Sequence, residues 1–214
     1  MTAHFEAAVE MMATLPRFSE AAGRLATELY RQLAEGEPVG LQNLASALEG
    51  TVDEIRSLLE SEELKGWVFY DDDARVIGFR GLAVRRMPHR FDVEGKGLYT
   101  WCGVDSLFIP PIIDKSAHVE TKDPRTGRVI RLIVTPEGVE SCDPPSTVMS
   151  YLVGDREVVK TNPEKVMAAF CHHIFFLESP EVGAAWAAEH GHGAFVVSLD
   201  QAFELGRLFN AAQS

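Results

Sequence analysis

"SAHVETKDPRTGRVIRLIVTPEGVESC", residues 116–142, alternates apolar and polar side chains on either side of the turn "DPRTG" at 123–127. Period-two alternation around a Pro- and Gly-containing turn predicts two half-buried strands paired as an antiparallel hairpin. The pattern extends in both directions. Upstream, "RRMPHRFDVEGKGLYTW" (85–101) is strand-like around a glycine turn at 95–97. Downstream, "MSYLVG" (149–154) and "VMAAFCHHIFFL" (166–177) predict two more strands. "SPEVGAAWAAEHG" (179–191) predicts a helix, with Ser179 as N-cap and Pro180 at the first helical position. "GAFVVSLDQAFELGRLFN" (193–210) predicts a strand and then a terminal helix. The C-terminal part is therefore α+β, with a mixed, largely antiparallel sheet and helices.

The N-terminal part reads differently. "RFSEAAGRLATELYRQLA" (17–34) spaces its apolar groups for a helix that stops before Gly36. Two short helices follow, broken at Gly50, with Thr51 and Glu54 forming a capping box for the second. "GWVFYDDDARVIGF" (66–79) predicts a hairpin with an acidic turn. Three helices and a hairpin outline a winged-helix-like lobe over residues 1–80, followed by an α+β lobe over 81–214. The helix that would face DNA, within 51–63, holds five acidic residues against Arg56 alone. That sign repels phosphates and makes the lobe structural, not a nucleic-acid reader.

Composition agrees. The formal charge of −12 argues against nucleic acid as a partner. At 46% hydrophobic residues the chain can bury a substantial core. No apolar run is long enough to span a membrane. The first residues, "MTAHFEAAVEMMATLPRF", lack the basic and apolar regions of a signal peptide. Three cysteines, an odd number, argue against a disulfide framework and for a reducing cytoplasm.

Chemistry concentrates in "LYTWCGVDSLFIPP" (98–111), where Cys102 and Asp105 stand among apolar residues. A strand gives way to a helix here, and Pro110 and Pro111 are expected to end that helix quickly. A thiol at a helix N-terminus is expected to have a lowered pKa. The nearby carboxylate acts in the opposite direction, unless a proton passes between the two groups. The plainer alternative makes Cys102 a buried filler and Asp105 an N-cap. Cys171, in "AAFCHHIFF" (168–176), could close a two-thiolate site selective for a soft metal, or could be a core cysteine. His172 and His173 would point to opposite faces of a strand. His190 and His192 lie in a Gly-rich turn facing solvent. Cys142, before a double proline, reads as a loop thiol, and Trp67 and Trp101 as core, with Trp101 able to wall an apolar pocket.

Together, "LYTWCGVDSLFIP" (98–110) and the distant "FCHHIFF" (170–176) resemble the bacterial organomercurial lyase, or alkylmercury lyase, family. "LAEGEPV" (33–39), "HVETKDPRTG" (118–127) and "SLDQAFELGRLFN" (198–210) extend the resemblance over residues 17–210. It implies protonolysis of a carbon–mercury bond to a hydrocarbon and Hg(II). Cys102 and Cys171 match the family's catalytic cysteines and Asp105 its acid, the three surrounding substrate and product mercury. No other cofactor is implied. The implied partners are an organomercurial substrate and a mercuric reductase or small thiols as Hg(II) acceptor. Two departures stand out: many members carry a cysteine where this chain has "VETKDPRTG" with Asp123, and some have a cysteine in place of His172. A thiol-based metal sensor without turnover and a thiol hydrolase using Cys102 with a histidine are the competing readings.

Overall fold

The computed structural model describes residues 3–13, 17–152, 171–191 and 193–213. The chain opens with helices α1 (Ala3–Ala13), α2 (Glu20–Leu33), α3 (Leu41–Ala47) and α4 (Val52–Leu59). The first of these is additional to the three expected. At the start of α2 the Ser19 hydroxyl accepts the Ala22 N–H. Leu25, Leu29 and Leu33 recur at helical spacing on its buried face. The capping box of α4 forms as expected: Glu54 N–H donates to Thr51 Oγ1 and Thr51 N–H donates to Glu54 Oε2.

Eight strands follow in one antiparallel sheet. They are β1 (Val68–Tyr70), β2 (Val76–Phe79), β3 (Leu82–Ala83), β4 (His89–Val93), β5 (Lys96–Thr100), β6 (Ala117–Lys122), β7 (Val129–Thr135) and β8 (Gly138–Asp143), in spatial order β1-β2-β3-β5-β4-β6-β7-β8. The hairpin at 116–142 has the expected faces: Ala117, Val119 and Thr121 are buried on β6, and Ile130, Leu132 and Val134 on β7. A smaller sheet contains β9 (Val148–Leu152), β10 (Phe176–Leu177) and β11 (Ala194–Ser198), in order β10-β9-β11. Helix α5 (Asp105–Ile113) connects β5 to β6. Helix α6 (Pro180–His190) precedes β11, and α7 (Leu199–Gln213) follows it. The chain is thus α+β, with helices packed on antiparallel sheets.

Residue 80, at the boundary suggested by the sequence, falls in the turn between β2 and β3, inside the large sheet. The main core draws on both sides of it, from Leu25 and Phe79 through Phe91 and Phe108 to Leu205. A second cluster packs Trp186 of α6 against Val148, Leu177 and Ala194. Among the described residues, no helix is long and apolar enough to cross a membrane.

Three local expectations need correction. Helix α5 is not ended by its prolines; it runs to Ile113 with both inside and closes at Asp114, which is left-handed with φ 54°. Residues 105–110 of α5 are all buried, so tertiary packing outweighs the ladder bonds that two missing N–H groups remove. Cys142 is not a loop thiol but lies half-buried on β8, opposite Leu132 of β7. Trp67 and Trp101 are half-buried, not core; Trp101 meets Phe69 edge-on at 5.0 Å.

Asp123, where many relatives are expected to carry a cysteine, is fully buried. Its Oδ1 accepts the Arg125 and Thr126 N–H groups across the β6–β7 turn, and its Oδ2 accepts the Glu178 N–H at 2.8 Å. A buried carboxylate is stable only when bonded in this way, and here it ties the large sheet to the segment that follows β10.

Candidate active site

Strand β5 delivers Trp101 and Cys102 to the mouth of α5, and Asp105 is the first residue of that helix. The Cys102 N–H donates to Asp105 Oδ2 at 2.8 Å, which sets the carboxyl beside the thiol. Asp105 therefore does not cap the helix from outside; it folds back over the cysteine. Only 1% of Cys102 and 7% of Asp105 is exposed. Beneath them Thr100 Oγ1 and Ser106 Oγ, both fully buried, are 2.7 Å apart and satisfy each other.

Cys171 arrives from the far end of the chain. It opens a single 3₁₀ turn, Cys171–His173, and is not on a strand as expected. Residues 166–170 of that expected strand lie outside the described residues. The Cys171 thiol is a neighbour of the Cys102 thiol and helps to raise its pKa, so the two remote cysteines come together. Backbone contacts hold them there. Gly103 N–H donates to Ile174 O at 2.9 Å. A Cβ on Gly103 would lie 3.2 Å from Met149 Cε and 3.3 Å from Phe175 Cα, so the close approach favours glycine. From β9, the buried Ser150 hydroxyl donates to His173 O at 2.8 Å and accepts the Phe175 N–H at 3.1 Å.

Electrostatics corrects one expectation. The position ahead of a helix suggested a lowered thiol pKa, but the Cys102 thiol is pushed well above its usual value. Burial is the main cause, followed by the Cys171 and Asp105 neighbours. Burial also raises Asp105 to about 7, against opposing bonds from Cys102 and the positive charge of Arg80. In the resting site the proton stays on sulfur, and the carboxyl is poised between its two states near neutral pH. A thiol whose proton is displaced by an incoming soft metal has a carboxyl acceptor beside it.

The histidines stand apart from this trio. Neighbours on a 3₁₀ turn are not on opposite faces. His172 is exposed, while His173 is half-buried and meets His190 edge-on at 5.8 Å. His190 stacks on Trp186 at 4.5 Å. His192 lies outside the described residues.

Sequence reasoning missed Arg80, Gly81, Tyr30 and Tyr151. The Arg80 guanidinium lies over the rings of Phe18, Trp67 and Phe209, at 4.6, 5.4 and 5.0 Å from their centroids. Tyr30 is buried on α2, and its hydroxyl donates to Arg80 O at 2.8 Å. Gly81 packs so closely on the acid that a Cβ would lie 2.4 Å from Asp105 Cγ. Tyr151 is buried on β9, its phenol held well above its usual pKa by burial and by the Cys102 and Asp105 neighbours. Two residues between apolar runs could have marked Arg80–Gly81 as a turn, but nothing local links that turn to residue 105.

The alkylmercury lyase family model matches residues 82–210. Similar curated proteins include the alkylmercury lyase of Pseudomonas putida, 38% identical over 180 residues that cover 84% of this chain and 80% of the relative. The alkylmercury lyase of Staphylococcus epidermidis is 34% identical over 183 residues, 86% of this chain and 80% of the relative. The chain belongs to the alkylmercury lyase family. Its fold matches the crystal structure of the mercury-bound form of MerB2 with a TM-score of 0.74 over 100% of both chains, at 19% identity. The stretch shared with the alkylmercury lyase model holds Cys102, Asp105 and Cys171 and begins at Leu82, one residue past Gly81.

Proposed function

We propose that this chain cleaves the carbon–mercury bond of alkyl- and arylmercury compounds by protonolysis. The observation that carries the reading is one cluster in which the buried Cys102 N–H is bonded to the buried Asp105 carboxyl and the remote Cys171 thiol is a neighbour of the Cys102 thiol. Mercury is the substrate's own metal, and soft sulfur ligands suit it. Cys102 sulfur displaces the outgoing ligand of the organomercurial, and its proton passes to Asp105. Cys171 sulfur then binds the same mercury, and its proton leaves with the displaced ligand. Two sulfurs weaken the bond to carbon by donating electron density to the metal. Asp105 delivers its proton to that carbon, which keeps the bonding pair, and the hydrocarbon departs. Hg(II) remains on the two sulfurs beside Asp105 until small thiols or a mercuric reductase remove it. No further cofactor enters these steps. All three cysteines are free, which suits a reducing cytoplasm. The acidic, winged-helix-like N-terminal lobe serves as a wall of the site and not as a DNA reader.

The test is hydrocarbon release from phenylmercury in excess small thiol. Cys102→Ser and Cys171→Ser abolish release. Asp105→Asn still binds mercury but releases hydrocarbon about 10²- to 10⁴-fold more slowly, the range for a lost general acid. Wild-type release from any of the three variants would remove the role assigned to that residue. Mercury binding without release by the unmodified chain would instead favour a metal sensor.

A further inference from the structure

The corner joining β2 to β3 carries an unusual residue for its shape. Phe79 pairs with Leu82, so Arg80 and Gly81 are the two central residues of a hairpin turn. Both have positive φ, 37° and 101°. Such turns favour Asn, Asp or Gly in the first central position, because a larger side chain is strained there. A strained residue persists where its surroundings enforce it, and often where function uses it. Here the enforcement is visible. The Arg80 N–H donates to Trp67 O at 3.1 Å, and its carbonyl accepts the Tyr30 hydroxyl at 2.8 Å. Its guanidinium is clamped by Phe18, Trp67 and Phe209. On the other side of the corner Gly81 abuts the acid: a Cβ there would come within 2.6 Å of Asp105 Oδ1. The Gly81 carbonyl accepts the Trp101 N–H at 3.0 Å, fixing the corner to the residue beside Cys102.

We propose that Arg80 is a positioning residue for the protonolysis step: clamped among three rings, it presses the Arg80–Gly81 corner against the Asp105 carboxyl and so fixes the direction in which the acid gives up its proton. The positive charge attracts the carboxylate and restrains the same rotation. The inference rests on the proposed role of Asp105 and concerns the Arg80–Gly81 corner, which lies ahead of the stretch shared with the family model.

Full-length Arg80→Asn, Arg80→Lys, Phe209→Leu and Asp105→Asn test it together. Three readouts are needed: melting temperature, capture of inorganic Hg(II) by the thiols, and kcat and KM for hydrocarbon release from phenylmercury. Asparagine suits the turn, so Arg80→Asn keeps or raises the melting temperature and captures Hg(II) like the unmodified chain. Its kcat falls by about 10-fold or more with KM little changed, as expected for a misaimed reacting group. Arg80→Lys recovers part of the loss. Phe209→Leu, which removes one ring of the clamp and leaves the turn sequence intact, lowers kcat in the same direction. Unchanged kcat in Arg80→Asn or Phe209→Leu, while Asp105→Asn is inactive, overturns the positioning role and leaves the acid's role standing. A loss in Arg80→Asn matched by lower melting temperature and poorer Hg(II) capture also overturns it, as a purely structural effect. Full turnover by Asp105→Asn removes the acid's role, and this inference with it.

Discussion

Asp105 is kept out of water by the strand and helix that carry it, and the cost shows in its proton affinity. Burial lifts the carboxyl from 3.8 to about 7. Between those values the folded state holds a proton that the unfolded state has released. Stability therefore falls as pH rises across that window and levels off above it. Asp105→Asn keeps an acceptor for the Cys102 N–H and removes the titration. The variant should match the unmodified chain near pH 4 and exceed it at pH 8 by a few kcal/mol, since each pH unit between the folded and unfolded values counts for roughly 1.4 kcal/mol. Urea melts at both pH values measure this, and equal midpoints at pH 8 would refute it. His89 works in the opposite sense. Buried beside Thr121 with its pKa lowered to about 4, it costs stability as pH falls from its ordinary value of 6.5. It is present in both proteins, so comparing them isolates Asp105. None of this was legible in the sequence: the spacing of Cys102 and Asp105 is local, but the depth at which they sit depends on elements distant in the chain.

At the scale of elements, close approach between backbones decides the packing. Helix α6 lies on β9 and β11 through Gly183, where a Cβ would sit 2.7 Å from Val196 Cγ1 and 3.1 Å from Val148 Cγ2. Both valines are β-branched and stiff, so neither can swing aside. Gly183→Ala should destabilise the chain by about 1–3 kcal/mol despite alanine's better helix propensity, because overpacking outweighs it. The midpoint of chemical unfolding reports the change; a stabilised variant would show that α6 can shift outward freely. The ends of these elements were readable beforehand. Thr51 and Ser179 each cap a helix at the predicted position, since a cap is a bond between residues three apart. Helix α5 was misjudged because its persistence through Pro110 and Pro111 depends on what surrounds it.

Across the whole molecule the site exists because a residue near 100 and another near 170 are anchored to the same framework. Ser150 is one of those anchors: it lies on β9, is fully buried, and bonds the chain on both sides of Ile174. Ser150→Ala leaves the Phe175 N–H without this partner, at a cost of about 1–3 kcal/mol. It should also loosen the turn that presents Cys171. Hydrocarbon release should fall by roughly 10-fold or more, since small misplacements of reacting groups are costly. Stopped-assay release rates, set beside thermal melts, separate the two effects. A destabilised variant with unchanged turnover would mean that the Gly103–Ile174 bond alone holds the thiols together.

The sequence by itself determined the α+β class, the antiparallel hairpins, the caps of α4 and α6 and, through the stretches around Cys102 and Cys171, the resemblance to the alkylmercury lyase family. These depend on alternation, on side chains bonding to backbone a few residues away, and on a recognisable order of residue types. The tertiary structure alone decided that the two remote cysteines are neighbours, that burial raises the pKa of the Cys102 thiol and of the Asp105 carboxyl, and that the corner beside that carboxyl carries an arginine caged by three rings. Those outcomes arise from desolvation and from contacts between distant segments, which depend on how the layers pack and leave no local trace in the order of residues.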